Sequence, residues 1–155
     1  MAFPDRNNPY SFDEFLAWRN SFNYYTDDPF LRQVIRHFAG DNWDDVDRAA
    51  QDMAEAASYR WRDMADAIAF PANHPYMMHY DGHHRRIDRI VRPHEIAVME
   101  KEIFSEALFS STTPPWVKLV KMFLIYQNGE AGISCPLVCT EGLVALLEKF
   151  ANYGF

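Results

Sequence analysis

Trp116-Val-Lys-Leu-Val-Lys-Met-Phe-Leu-Ile-Tyr-Gln-Asn128, followed closely by Leu143-Val-Ala-Leu-Leu147, is the stretch whose reading decides the fold. It opens as an amphipathic helix with Lys118 and Lys121 outward, then turns apolar on every side from Met122 to Tyr126. A helix with no polar face must be covered all round. Leu143 to Leu147 has the same character, and little sequence follows to cover either segment. Two arrangements satisfy this. Either the two segments form the centre of a compact bundle, or another domain or subunit packs on residues 116–150. The charge pattern supports the second, because the acidic residues crowd into the first two thirds of the chain.

Upstream, the punctuation is that of helices. Ser11 with Glu14 spells a capping box, with Phe12, Phe15, Leu16 and Phe22 at helical spacing. Asp28 caps a second helix with Pro29 at its first position; Phe30, Leu31, Val34, Ile35 and Phe38 form its stripe and Gly40 its stop. Asp41 or Asn42 opens a third, whose early Asp44, Asp45 and Asp47 suit the positive end of the helix dipole. Val46, Ala50, Met53 and Ala57 give its buried face. Ser58 breaks or bends it, and Trp61, Met64, Ala65 and Ile68 carry the pattern on to Pro71. Residues 76–91 differ: two short extended runs flank Asp81-Gly82, a hairpin signal. After Pro93 another helix sets Ile96, Met99, Ile103 and Ala107 on one side, with Glu95, Glu100, Glu102 and Glu106 away from it. A last helix is expected from about Pro136 to Phe150. The fold class is therefore mainly α, a helical bundle with one short β-hairpin around residues 76–91.

The 155 residues are enough for one domain with its own core. With 48% hydrophobic and 24% charged residues the chain is too apolar to be disordered. A net charge of −7 argues against nucleic acid as a partner, since phosphate-tracking surfaces are basic. Two cysteines give no disulfide framework and fit a reducing, cytoplasmic location. The N-terminus lacks the pattern of a secretory signal. Gln127, Asn128, Glu130 and Glu141 interrupt the longest apolar region, so no membrane span is expected. A phosphate-binding glycine loop, a nucleophile elbow and a His-Glu-x-x-His motif are absent, and no catalytic residue is assigned.

The order of the pieces does carry a family signal. Tyr80-Asp81-x-x-x-x-Arg86-Ile87-Asp88, the long helix after it, then Gly132-x-x-Cys135-Pro136-x-x-x-Thr140 resembles the N-terminal helical domain of the acyl-CoA dehydrogenase superfamily. The resemblance is to its alkylation-response (adaptive-response) branch, although Cys139 stands where that branch usually has Met. Asn8-Pro9 and Tyr25-Thr-Asp-Asp-Pro-Phe30 also resemble that branch's opening, so the likeness covers nearly the whole chain. It implies that residues 1–155 are an N-terminal helical domain cut before a flavin-binding β domain, the sequence stopping at Tyr153-Gly154-Phe155. It also implies FAD as the complete protein's cofactor, an acyl-CoA thioester as its substrate, and a role in fatty acid metabolism. The partners implied are the missing β and C-terminal domains or a partner subunit, in an oligomer. The rival reading is a non-catalytic helical module that pairs with a partner through residues 116–150.

Individual residues carry alternatives. Cys135 and Cys139, four apart, share a helix face. Two thiolates can begin a metal site, but structural zinc wants four ligands and no second pair exists, so no metal is assigned. They read otherwise as buried small hydrophobes. The resemblance adds a third role, in which Cys135, Cys139 and Thr140 line the acyl or flavin cavity and Thr140 donates a hydrogen bond there. Gln127, Asn128 and Glu130 cap a helix end or face that cavity. His79, Asp81, His83 and His84 read as a polar turn or as a chelating one. Arg85, Arg86, Arg89 and Arg92 read as a solvated edge that blocks strand addition, or as a dock for an acidic partner or CoA phosphates. Val138-Cys-Thr-Glu-Gly142 imitates the segment that opens a flavin domain, but a helical sequence follows it.

Overall fold

A computed structural model describes residues 10–151. Asn8 and Pro9 of the family-like opening, and Tyr153 to Phe155, lie outside the described residues. In chain order the elements are α1 (Asp13–Ser21), α2 (Pro29–Ala39), α3 (Trp43–Glu55) and α4 (Arg62–Ala69). The strands β1 (Tyr76–Tyr80) and β2 (Arg86–Val91) come next, then α5 (His94–Phe104), α6 (Pro115–Tyr126) and α7 (Ala131–Phe150). The chain is mainly α with one antiparallel hairpin, as its punctuation predicts.

The caps explain the boundaries. Asp28 Oδ1 accepts from the Leu31 N–H at 2.8 Å, and Pro29 follows at the first helical position. Gly40 ends α2 at φ 55°, a conformation a Cβ would strain. The capping box at Ser11 forms only in part, since its Oγ accepts from the Asp13 N–H at 3.2 Å rather than one residue further along the helix.

Ser58 settles the fate of the long third helix. Residues Ala56–Trp61 form one wide π turn that joins α3 to α4, so the helical run does not stop at Ser58. Ser58 is fully buried, and its Oγ accepts the Tyr24 N–H at 2.8 Å. The polar residue ties the α1–α2 connection to the core. Nearby, the Trp61 indole N–H donates to Glu102 at 2.8 Å and Arg60 donates to the same carboxylate at 2.6 Å. Arg60 above all holds the Glu102 carboxyl below its ordinary value. Glu102 therefore faces a neighbouring helix, not solvent as its spacing predicts. Glu106 likewise receives Lys121 at 2.7 Å. Ala107 falls outside α5, at φ 54°.

The core runs through α3, the π turn, α5, α6 and the first half of α7. It includes Val46, Ala50, Met53, Trp61, Met99, Ile103, Leu124 and Leu137, all at most 2% exposed. Tyr25 is fully buried, its hydroxyl donating to Asp47 at 2.6 Å; burial first, then Asp47, pushes the phenol's pKa up.

The hairpin pairs Tyr76 with Val91 and Met77 with Ile90, with a bulge between Met78 and Tyr80. Asp81 Oδ1 accepts from the His83 and Arg85 N–H groups and closes the turn. Asp88, at φ 41°, takes His79 Nδ1 at 2.8 Å and the Arg86 Nε–H at 2.6 Å.

Candidate functional site

Five residues were candidates for lining a cavity: Gln127, Glu130, Cys135, Cys139 and Thr140. Gln127 and Glu130 lie at the α6–α7 corner, Cys135 and Cys139 on the outer side of α7, and Thr140 is half-buried on the side of Ile133 and Leu137. Gln127 is exposed at the C-terminal end of α6, its amide reaching the Phe123 carbonyl at 3.4 Å. Glu130 is the N-cap of α7; its Oε2 accepts the Ile133 N–H at 2.8 Å. This cap starts α7 at Ala131, five residues before the Pro136 start that the sequence suggests. Pro136 therefore sits inside the helix, where it cannot bond the Gly132 carbonyl. Thr140 Oγ1 donates to the Pro136 carbonyl at 2.8 Å, so its proton serves the helix that carries it. Asn128 Oδ1 accepts from the Tyr24 hydroxyl at 3.2 Å, while its Nδ2 is buried without a partner.

Cys135 and Cys139 are both exposed, which overturns their reading as buried small hydrophobes. The cause is the phase of the helix. Ile133 and Leu137 point inward, and the residues two positions after each face out. A thiol contact with Cys135, ahead of other causes, raises the Cys139 pKa.

The outer side of α7 is an uncovered apolar stripe. Val138, Leu143, Leu146 and Leu147 are 54–57% exposed. Glu130 lies before α7, leaving Ala131–Phe150 long and apolar enough to cross a membrane by length and composition, with only 11% of its best window buried. Glu141 does not act as an outward break either. It accepts Lys118 Nζ at 2.7 Å, so that lysine bridges α6 to α7 rather than pointing to solvent. Val138 to Gly142 is helical throughout, in keeping with its reading as a decoy for a flavin segment.

A second uncovered area lies between α2 and α6. Leu31, Val34, Ile35, Phe38, Trp116, Leu119, Val120 and Phe123 line an apolar cavity of about 280 Å³. Phe38 and Trp116 stack across its mouth, ring centroids 6.5 Å apart. Neither cysteine nor Thr140 reaches it. This slot was not singled out in the sequence, although the α2 stripe and the apolar face of α6 together were its signal.

The bundle carries one basic hairpin and an open apolar side. Residues 17–153 match the family model described as the adaptive response protein AidB N-terminal domain, and the chain belongs to that family. No curated protein and no solved structure matches the chain.

The FAD associated with such proteins fits these residues only in part. The stripe on α7 could face an apolar ring or chain. The N-terminus of α7, where a phosphate would sit best, is already taken by the Glu130 carboxylate, which repels an anion.

Proposed function

We propose that this chain forms one wall of the acyl cavity of a flavin-dependent, acyl-CoA dehydrogenase-like oxidoreductase, and that other domains or a partner subunit cover it. The observation that carries this reading is the unroofed apolar surface, made of the α7 stripe and the α2–α6 slot. The slot is apolar, narrow and open at one side, as a site for an alkyl chain should be. Bound flavin would accept the hydride; this chain's residues contribute shape and water exclusion. No described side chain is placed as an acid or base for the reaction. The N-terminus of α7 does not offer a phosphate site, because Glu130 caps it.

The rival reading, a non-catalytic module pairing through residues 116–150, rests on the same stripe. Size-exclusion chromatography monitored at the flavin band separates the two. The chain alone is expected to bind negligible flavin. Mixed with a β-rich and C-terminal portion of the same family, it is expected to co-elute with flavin that an acyl-CoA bleaches. Co-elution without flavin favours the module. A purified chain that is yellow by itself and reduced by acyl-CoA overturns the view that it is incomplete.

A further inference from the structure

We infer that the outer edge of β1 pairs with the same edge of a second copy of this chain, so that two hairpins join into one four-stranded antiparallel sheet. The hairpin leaves that edge open. Among the described residues β1 and β2 are the only strands, so no other described segment supplies a third. No hairpin residue enters the core cluster, and no backbone hydrogen bond reaches Tyr76–Tyr80 from another element. Tyr76, Met77, Tyr80, Ile87 and Ile90 are 40–62% exposed. A two-stranded sheet without cover is marginal in water, and further strands are one way to stabilise it.

The two edges of the hairpin differ in their guards. Met78 pairs with Arg89 and Tyr80 with Arg86, so three residues of β1 lie opposite four of β2. The surplus residue belongs to β2, where Asp88 turns to φ 41°. Such a bulge bends its strand and spoils that edge for pairing, and the charges of Arg86 and Arg89 oppose strand addition as well. β1 has neither device. Its Tyr-Met-Met-His-Tyr run holds no proline, arginine, lysine or acid, and His79 is engaged by Asp88 of its own hairpin.

Charge and symmetry choose the occupant. Like charges directly opposite each other across strands are destabilising. Two β2 edges brought together would set arginines against arginines, whereas two β1 edges oppose no charges. A two-fold axis at Met78 sets Met78 opposite its own copy, Met77 opposite His79, and Tyr76 opposite Tyr80, an aromatic pair. The two β2 strands then lie on the outside, three strand spacings or about 14 Å apart, beyond the Debye length of about 8 Å. The same edge serves both chains, so the contact closes at two. It rests on the hairpin alone and does not depend on the flavin reading.

Cysteine cross-linking in the 155-residue chain tests the register, with C135S/C139S removing the native thiols. On mild oxidation M78C should give a covalent dimer, and I87C, on the guarded strand, should not. Light scattering on size exclusion should show the mass of the unsubstituted chain doubling as concentration rises. M77K, which brings two lysines to diagonal positions across the axis, should weaken that dimer about fivefold or more with unchanged far-UV circular dichroism. An unsubstituted chain that stays monomeric overturns the proposal, whether or not the variants fold. So does growth past two chains, which an open-ended contact would give. A dimer that M77K leaves intact and M78C does not capture overturns it too, since the contact then lies elsewhere, as on the α7 stripe.

Discussion

The two halves of α7 are both rich in apolar residues, yet only the first buries any of them fully. Ile133 and Leu137 are at most 1% exposed, whereas Leu143, Leu146 and Leu147 are each more than half exposed. The difference lies in what stands opposite. The first half packs into the core beside α5; beyond the Lys118–Glu141 bridge only Val144 stays half-covered. Apolarity says that a segment wants cover, and the neighbours say whether it has any.

Substitutions can sharpen that contrast. The largest effect is expected at the centre: Trp61→Ala should cost about 3–5 kcal/mol in urea unfolding, through the cavity it leaves and the indole bond to Glu102 it removes. Leu137→Ala should cost about 2–5 kcal/mol, while Leu146→Ala, further along the same helix, should stay within about 0.5 kcal/mol. Equal losses at the two leucines would break the comparison. Ser58→Ala leaves the Tyr24 N–H buried without an acceptor and should cost about 1–3 kcal/mol.

Glu102 gives a smaller, pH-dependent effect. Its folded carboxyl is held below the ordinary value of 4.5, so its contribution is present above that value and lost as pH falls through the lowered one. Glu102→Gln should therefore flatten the acid limb of the stability curve below about pH 4.5 and cost about 1 kcal/mol or less at neutral pH. A variant whose acid limb matches wild type would remove Glu102 from the account. Leu146→Asp should change stability least, yet reduce binding of a hydrophobic dye and abolish any co-elution with covering domains. Retained co-elution would show that the α7 stripe is not the contact.

Much of the fold was legible from local chemistry. Asp28-Pro29 started α2, Gly40 stopped it, and Asp81-Gly82 turned the hairpin, because each signal acts within a few residues. Ser58 could be read only as a disturbance. It lies in a π turn, and its hydroxyl accepts the Tyr24 N–H from 34 positions away, a partner no local pattern names. The cysteine exposure was misread because the phase of α7 is set by its N-cap at Glu130, and a proline six residues on suggested a later start. The α2–α6 slot needed two helices about eighty residues apart to be brought side by side.

By itself the sequence determined the helical class, the hairpin and the family, since periodicity, caps and motif order are properties of neighbouring residues. It also determined that the C-terminal third is too apolar to stand in water uncovered. Tertiary structure alone decided which part of that third is sheltered, which charges pair, and that the two thiols face outward. These follow from which surfaces long-range packing brings together, a quantity no local pattern contains.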